Sequence, residues 1–380
     1  MVVMKSIVVV GDGAAGVMIA NKLRYKLSSK EARITVVGSN LRNFCRSDGP
    51  LVSLRLKRFG DSVMPLNFLL NENIEFIRDE VTMVKPNNRL IYLKGGKKLD
   101  YDYLVLAPGM QTSPELMPGY EGEAKHILDL QHTLELGKTM EDFSSGTAVV
   151  AINDMPVPNI IGFYEFAFVL SDQLRKLGFA SKTKIKFVYP EEGVFPVTEL
   201  NSFFEEKFRE KNIETVSNFK VTSVNQKNRE IVSQNGSMNY DVLVLPPPMR
   251  TRDFLKSEEL LGGEDGSKNV NKNTLKIRDY DDVYLIGDAV DHLISGLSGS
   301  FITQSRYVSG SICDDIGSQA NSTFYEGNVT LTAMTGLDKG MTLSYSYSKK
   351  AELPKESQAD FRFKRYYSDF YFSTLLRGLV

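Results

Sequence analysis

The chain has 380 residues, 42% hydrophobic and 24% charged, a globular composition long enough for two or three domains with their own cores. Its 46 Lys plus Arg against 47 Asp plus Glu leave a formal charge of −1, which argues against nucleic acid as a partner. Two cysteines, Cys45 and Cys313, are too few for a disulfide scaffold. Lys5 leads at once into a short strand rather than a secretory leader, and no run approaches about 20 apolar residues. A cytoplasmic protein is expected, still able to attach to a membrane surface.

In chain order, Ser6–Val10 (SIVVV) is an apolar β-branched run of the kind that forms a buried parallel strand. Gly11-Asp12-Gly13-Ala14-Ala15-Gly16 follows, then a helical pattern through Met18, Ile19, Leu23 and Leu27. This is G-x-G-x-x-G between strand and helix, the setting that the dinucleotide mechanism requires. Gly11 permits a tight turn, Gly13 lets a pyrophosphate reach the backbone, and Gly16 lets helix and strand pack closely. Ala14 and Ala15 open the helix, whose N-terminus faces the negative charge.

The second strand, Ile34–Val37, ought to end in a ribose-binding acid, but runs into Gly38-Ser39-Asn40. Ser39 or Asn40 is then expected to supply one hydrogen bond to the ribose. Tyr101–Gly109 (YDYLVLAPG) is a strand ending in Ala107-Pro108-Gly109, and Val283–Ala289 (VYLIGDA) one ending in Gly287-Asp288. Between them, a strand at Thr147–Ile152, helix at Glu165–Leu177, strand at Lys184–Val188, helix at Phe203–Lys211 and strand at Tyr240–Leu245 repeat the doubly wound plan. The loop after the first of these strands, Asn153 to Gly162 (NDMPVPNIIG), holds two prolines and one glycine. It builds no second pyrophosphate loop, so NADH is not the expected partner.

The order of these motifs resembles the flavoproteins that include the pyridine nucleotide-disulfide reductases. That resemblance implies FAD, with Asp288 accepting from a ribityl hydroxyl, Gly287 permitting close approach, and Val81, Ala107 and Gly109 in the cofactor shell. Within that superfamily, Tyr164-Glu165-Phe166-Ala167, Leu245-Pro246-Pro247-Pro248, Gly287-Asp288-Ala289 and Gly299-Ser300-Phe301 resemble the sulfide:quinone oxidoreductase and flavocytochrome c sulfide dehydrogenase group. The resemblance places Phe301 near the flavin ring. It also puts Leu128, Asn159 and Thr332 where that group carries cysteines, and none of these can form a thiolate or persulfide. A sulfide route through such cysteines is therefore in doubt.

Cys45 lies near the position where flavocytochrome members link the flavin, but simple burial is the favoured reading. Cys313, in a helical stretch, is read as packing. Glu165 is read either as a proton relay or as a helix-N-terminal glutamate favoured by the macrodipole. His126, His132 and His292 show no metal spacing and are expected at the surface or in loops.

The chain ends in aromatics spaced i, i+3, i+4 with Lys364, Arg365 and Arg377 among them. That pattern suits a membrane interface and a quinone channel; packing on the protein's own body or on a second copy is the alternative.

The expected fold is α/β with two doubly wound, Rossmann-like domains and a C-terminal amphipathic segment. Residues 1–112 and 246–325 form the FAD domain, 113–245 the second domain with its degenerate nicotinamide site, and 326–380 the membrane or quinone segment. The expected function is an FAD-dependent oxidoreductase passing electrons from an unidentified small molecule to a quinone, on the inner face of the cell membrane. A type II NADH:quinone reductase and a non-catalytic flavin-bound paralogue are the alternatives.

Overall fold

The computed structural model describes residues 4–153, 155, 157–263, 269–290, 300–317 and 324–380. Asp154, Pro156, His292 and Gly299 of the sequence argument lie outside these residues.

Two parallel sheets organise the chain. The first has the order Val283–Leu285, Tyr103–Leu106, β1 (Lys5–Val10), β2 (Ala32–Gly38), Ile74–Arg78, all parallel. Its strands read as unbroken apolar runs because helices and loops cover both faces. Ile7, Val9, Ile34, Val36, Leu104 and Leu285 are fully buried. The helix α1 (Ala14–Lys26) is buried from Ala15 through Leu23, because the sheet, the helix Phe301–Ile316 and the chain's last residues enclose it. A helix so enclosed needs no polar stripe.

The second sheet repeats the plan in the order Glu214–Val216, Thr183–Val188, Gly146–Ala151, Val242–Val244, again all parallel. Each unit also carries a three-stranded antiparallel meander, Val81–Asp100 and Val221–Asn239. The two connections between the units run side by side, Gln111–Thr112 pairing antiparallel with Met249–Arg250.

The C-terminal segment departs from expectation. It forms a hairpin (Val329–Met334 with Gly340–Tyr345), a helix Gln358–Arg365, and a last turn through Leu375. Tyr371, Phe372, Leu375 and Leu376 are buried against Val17, Met18, Cys45, Leu66 and Leu69. The Tyr371 hydroxyl donates to Asn43 Oδ1 at 2.8 Å, and Asn21 Nδ2 donates to the Leu376 carbonyl at 2.5 Å. The alternating aromatics thus cover an apolar face of the first domain, so the tail is no separable interfacial element. Lys364, expected as a surface cation, is 1% exposed. Only one side of the tail faces outward, with Phe363, Tyr366, Leu379, Arg362 and Arg365 exposed. Among the described residues no helix is long and apolar enough to cross a membrane.

Candidate dinucleotide and redox site

Strand register builds the site. Val10 pairs with Val37 and with Leu106, and Leu106 pairs with Leu285. Parallel pairing therefore brings the next residues of four strands to one carboxyl-end crest: Gly11 to Gly16, Gly38 to Asn40, Ala107 to Gly109, and Gly287 with Asp288. In doubly wound sheets ligands bind at this edge.

The glycines of the loop answer to distinct needs. Gly11 has φ +120°, and a Cβ there would lie 2.1 Å from the Ala107 carbonyl oxygen. A Cβ on Gly16 would lie 1.9 Å from the Gly11 oxygen. A Cβ on Gly13 would meet nothing within 4 Å. The space over Gly13 is thus kept free of protein, at the N-terminus of α1, which has no side-chain cap and no acid in its first turn. That open cradle fits the pyrophosphate of a dinucleotide. Gly109, at φ +65°, is likewise open. Gly287 takes φ +77° and donates its N–H to Gln304 Oε1 at 2.7 Å, Gln304 being fully buried.

The other sequence candidates are scattered in role. Ala15 and Ala107 are buried in the crest, while Ala14 and Val81 are half-buried, Val81 opening the strand Val81–Lys85. Ser39 and Asn40 are exposed, and the Asn40 amide is already committed to Asp12. Phe301 opens the helix Phe301–Ile316 and packs against both the first sheet's core and the tail cluster. Asp288 carries an ion pair with Arg46 at 2.9 Å, a cation that no sequence motif marks.

Glu165 is neither exposed nor in the first turn of its helix, Ile160–Lys176. Its Oε2 lies 3.1 Å from Lys364 Nζ, with both side chains 1% exposed. Its Oε1 accepts from the Met334 N–H at 3.1 Å. Lys364 also donates to the Ser47 carbonyl. Next to Ser47, fully buried Asp48 pairs with Lys57 at 2.8 Å and accepts from Ser62 Oγ at 2.8 Å. Burial pushes the Glu165 carboxyl above its ordinary range, against the pull of Lys364. The pair joins the second domain, the tail and the turn that carries Arg46.

The three positions that lack cysteine surround the same turn in part. Asn159, left-handed at φ 53°, occupies the N-cap position of the helix Ile160–Lys176 and donates Nδ2 to the Arg46 carbonyl at 2.9 Å. Leu128 is buried, and Thr332 Oγ1 lies 2.9 Å from Thr342 Oγ1. Cys45 is packed in the tail cluster, where burial pushes its thiol well up. Cys313 is half-buried in the helix Phe301–Ile316, where it packs at the edge of the first core.

Contrary to expectation, the histidines are not all at the surface or in loops. His126 is 2% exposed and stacks on His132 with ring centroids 4.0 Å apart. Asp129 Oδ2 sits 2.8 Å from His132 Nδ1 and 3.7 Å from His126 Nε2. The grouping is compact enough to suggest a metal, its ligand atoms all within 4.8 Å. However, the Leu128 N–H points at His126 Nδ1 at 3.3 Å. That contact makes Nδ1 the acceptor and leaves the proton on Nε2, which at 3.7 Å from Asp129 Oδ2 makes no hydrogen bond to it. The cluster reads as a capped helix start: Asp129 accepts from the His132 N–H at 2.9 Å. Burial pulls His126 down to about 4, while the Asp129 hydrogen bond raises His132.

A glycine-rich crest opposite a Gly-Asp strand end, with the whole doubly wound plan repeated once, defines the two-dinucleotide-fold class of flavoprotein oxidoreductases. The pattern of the pyridine nucleotide-disulphide oxidoreductases matches residues 5–306, and the chain belongs to that family. It is 24% identical over 390 residues to the mitochondrial sulfide:quinone oxidoreductase of Dictyostelium discoideum, spanning 98% of this chain and 86% of that protein. To the type II NADH:quinone oxidoreductase of Staphylococcus haemolyticus it is 23% identical over 378 residues, 93% of each chain. The X-ray structure of the sulfide:quinone oxidoreductase of Aquifex aeolicus shares the fold, with TM-score 0.83 at 21% identity over 98% of this chain and 92% of that one. The chain is thus related to two groups of quinone reductases, and the expected α/β architecture of two Rossmann-like units stands.

Proposed function

We infer that the protein binds FAD at the first crest and passes electrons from a small-molecule donor to a quinone at a membrane surface. The observation that carries this reading is the protein-free space over Gly13, at the N-terminus of α1 and on the same crest as Gly287 and Asp288. FAD, when bound, supplies the two-electron redox chemistry. The loop Gly11–Gly16 would hold its pyrophosphate, and Asp288, released from Arg46, would accept from the ribityl chain. Quinone reduction takes up two electrons and two protons. Glu165 is suited to hold one of those protons, since burial raises its carboxyl above the ordinary range and so favours the neutral form. Lys364 stabilises the carboxylate once the proton has left. The outward side of the tail supports attachment to the inner face of the cell membrane through Phe363, Tyr366 and the neighbouring arginines.

Leu128, Asn159 and Thr332 weigh against a persulfide relay, so the donor is handled without cysteine. A second reading, a type II NADH:quinone reductase, draws on the Staphylococcus relative. The loop without a G-x-G-x-x-G weighs against it. Full-length protein with FAD bound, assayed for quinone reduction, tests the first reading. Glu165→Gln should keep its FAD yet lose most of its quinone turnover and flatten the pH profile. Unchanged turnover across pH would remove Glu165 from the proton path.

A further inference from the structure

The crest lacks one expected part. A doubly wound dinucleotide site ordinarily places an acidic residue at the end of the second strand, about 20 residues after the glycine loop, to accept from the adenosine ribose hydroxyls. Here β2 ends in Gly38. A Cβ on Gly38 would lie 2.4 Å from Asp12 Oδ2 and 2.5 Å from Asp12 Cβ. The Asp12 side chain, reaching sideways from the glycine loop, therefore fills the space beside the end of β2 that the side chain of a strand-end acid would need. Gly38 is the residue that leaves room for it.

Asp12 is held in that place. It is 8% exposed. Its Oδ2 accepts from the Asn40 backbone N–H at 2.6 Å, and its Oδ1 from Asn40 Nδ2 at 2.8 Å. Each oxygen keeps a lone pair, and a ribose diol presents two donors. Positive charge lies nearby: the Arg252 side chain, whose Nε donates to the Pro108 carbonyl at 2.9 Å, is close enough to feel Asp12. Asn40, expected to bind ribose itself, spends its side chain orienting Asp12 and acts as a positioning residue.

Resting on the FAD reading above, we propose that Asp12 recognises the adenosine ribose hydroxyls in place of the strand-end acid. The recognition element has moved from β2 to the second position of the glycine loop.

The test compares FAD with analogues lacking the 2′- or the 3′-hydroxyl of the adenosine ribose, binding to full-length apoprotein followed by quenching of flavin fluorescence. Wild type should prefer FAD over at least one analogue by roughly tenfold, the weight of a hydrogen bond to a charged acceptor. Asp12→Asn should bind FAD roughly tenfold more weakly and lose that preference. A purely structural Asp12 would not move the preference. The paired change Asp12→Gly with Gly38→Glu, which restores the ordinary arrangement, should recover it and covers the case in which Asp12→Asn folds poorly. Equal preference in Asp12→Asn and wild type, or none in wild type, overturns the proposal. Wild type that binds no FAD at all overturns the underlying reading instead.

Discussion

The two doubly wound units share sheet, meander and connection, yet their crests differ. In the first, β1 gives way to a loop whose middle glycine faces space free of protein. In the second, the strand Gly146–Ala151 gives way to a longer loop, and Asn159 turns left-handed at the N-cap position of the helix. A Cβ on Gly162 of that helix would lie 2.6 Å from Asn159 Nδ2 and 2.9 Å from Ile127 Cδ1. The first loop leaves protein-free space over Gly13, whereas the one glycine of residues 153–162, Gly162, is packed against its own chain. Duplication of a fold therefore preserves packing more readily than it preserves a binding loop, since a core needs only apolar volume while a phosphate cradle needs particular backbone.

The largest effect should come from the tail, which covers the first unit. A chain ending near Ser357 would uncover the cluster that Tyr371, Phe372, Leu375 and Leu376 bury. Deleting large core side chains costs about 2–5 kcal/mol each, so the loss rivals a whole domain's stability of roughly 5–15 kcal/mol. The truncated protein should be insoluble or free of flavin. A soluble, yellow product would show the tail to be dispensable after all.

Next come two glycine substitutions that sharpen the comparison between crests. Gly13→Val should leave the melting temperature of the apoprotein nearly unchanged, because its first carbon meets no protein, while FAD affinity falls at least about a hundredfold. Gly162→Val should do the reverse: overpacking against Asn159 and Ile127 costs about 1–3 kcal/mol, with FAD affinity of the folded protein kept. Thermal melts and flavin titrations on both variants separate the two outcomes. Loss of FAD from Gly162→Val alone would mean that the second crest also contributes to the cofactor site.

A smaller effect is set by pH. His126 falls from 6.5 to about 4 on folding because it is buried. Between those values the unfolded chain binds the extra proton, so stability declines as pH drops from 6.5 toward 4. The span amounts to about 3 kcal/mol, partly offset by His132, whose raised value adds stability on the acid side. His126→Gln should flatten the acid limb of stability measured by urea unfolding. An unchanged limb would place the acid sensitivity elsewhere.

Much of this was legible in the residues. The runs at Ser6–Val10, Thr147–Ile152 and Lys184–Val188 announce parallel strands because strands buried on both faces carry no polar alternation. Gly11, Gly13 and Gly16 announce the loop because its backbone tolerates little else. What escaped was pairing between distant residues. Lys364 reads as one more surface cation until the tail folds back and sets it against Glu165. Asp12 reads as an interchangeable loop residue until Gly38 is brought beside it. His126 carries no periodic signal, so its burial depends wholly on what packs over it. The aromatic spacing of the tail revealed an apolar face but not what would cover it.

The most direct test of the whole account uses full-length protein loaded with FAD under anaerobic conditions. The flavin is first reduced chemically, then mixed with a short-chain quinone or with NAD+, while its visible absorption band is followed. The two crests predict rapid return of the band with quinone and none with NAD+, and no rapid bleaching of oxidised flavin by micromolar NADH. Rapid bleaching by NADH, or failure of the quinone to restore the band, would contradict a site that takes FAD at the first crest and no nicotinamide at the second.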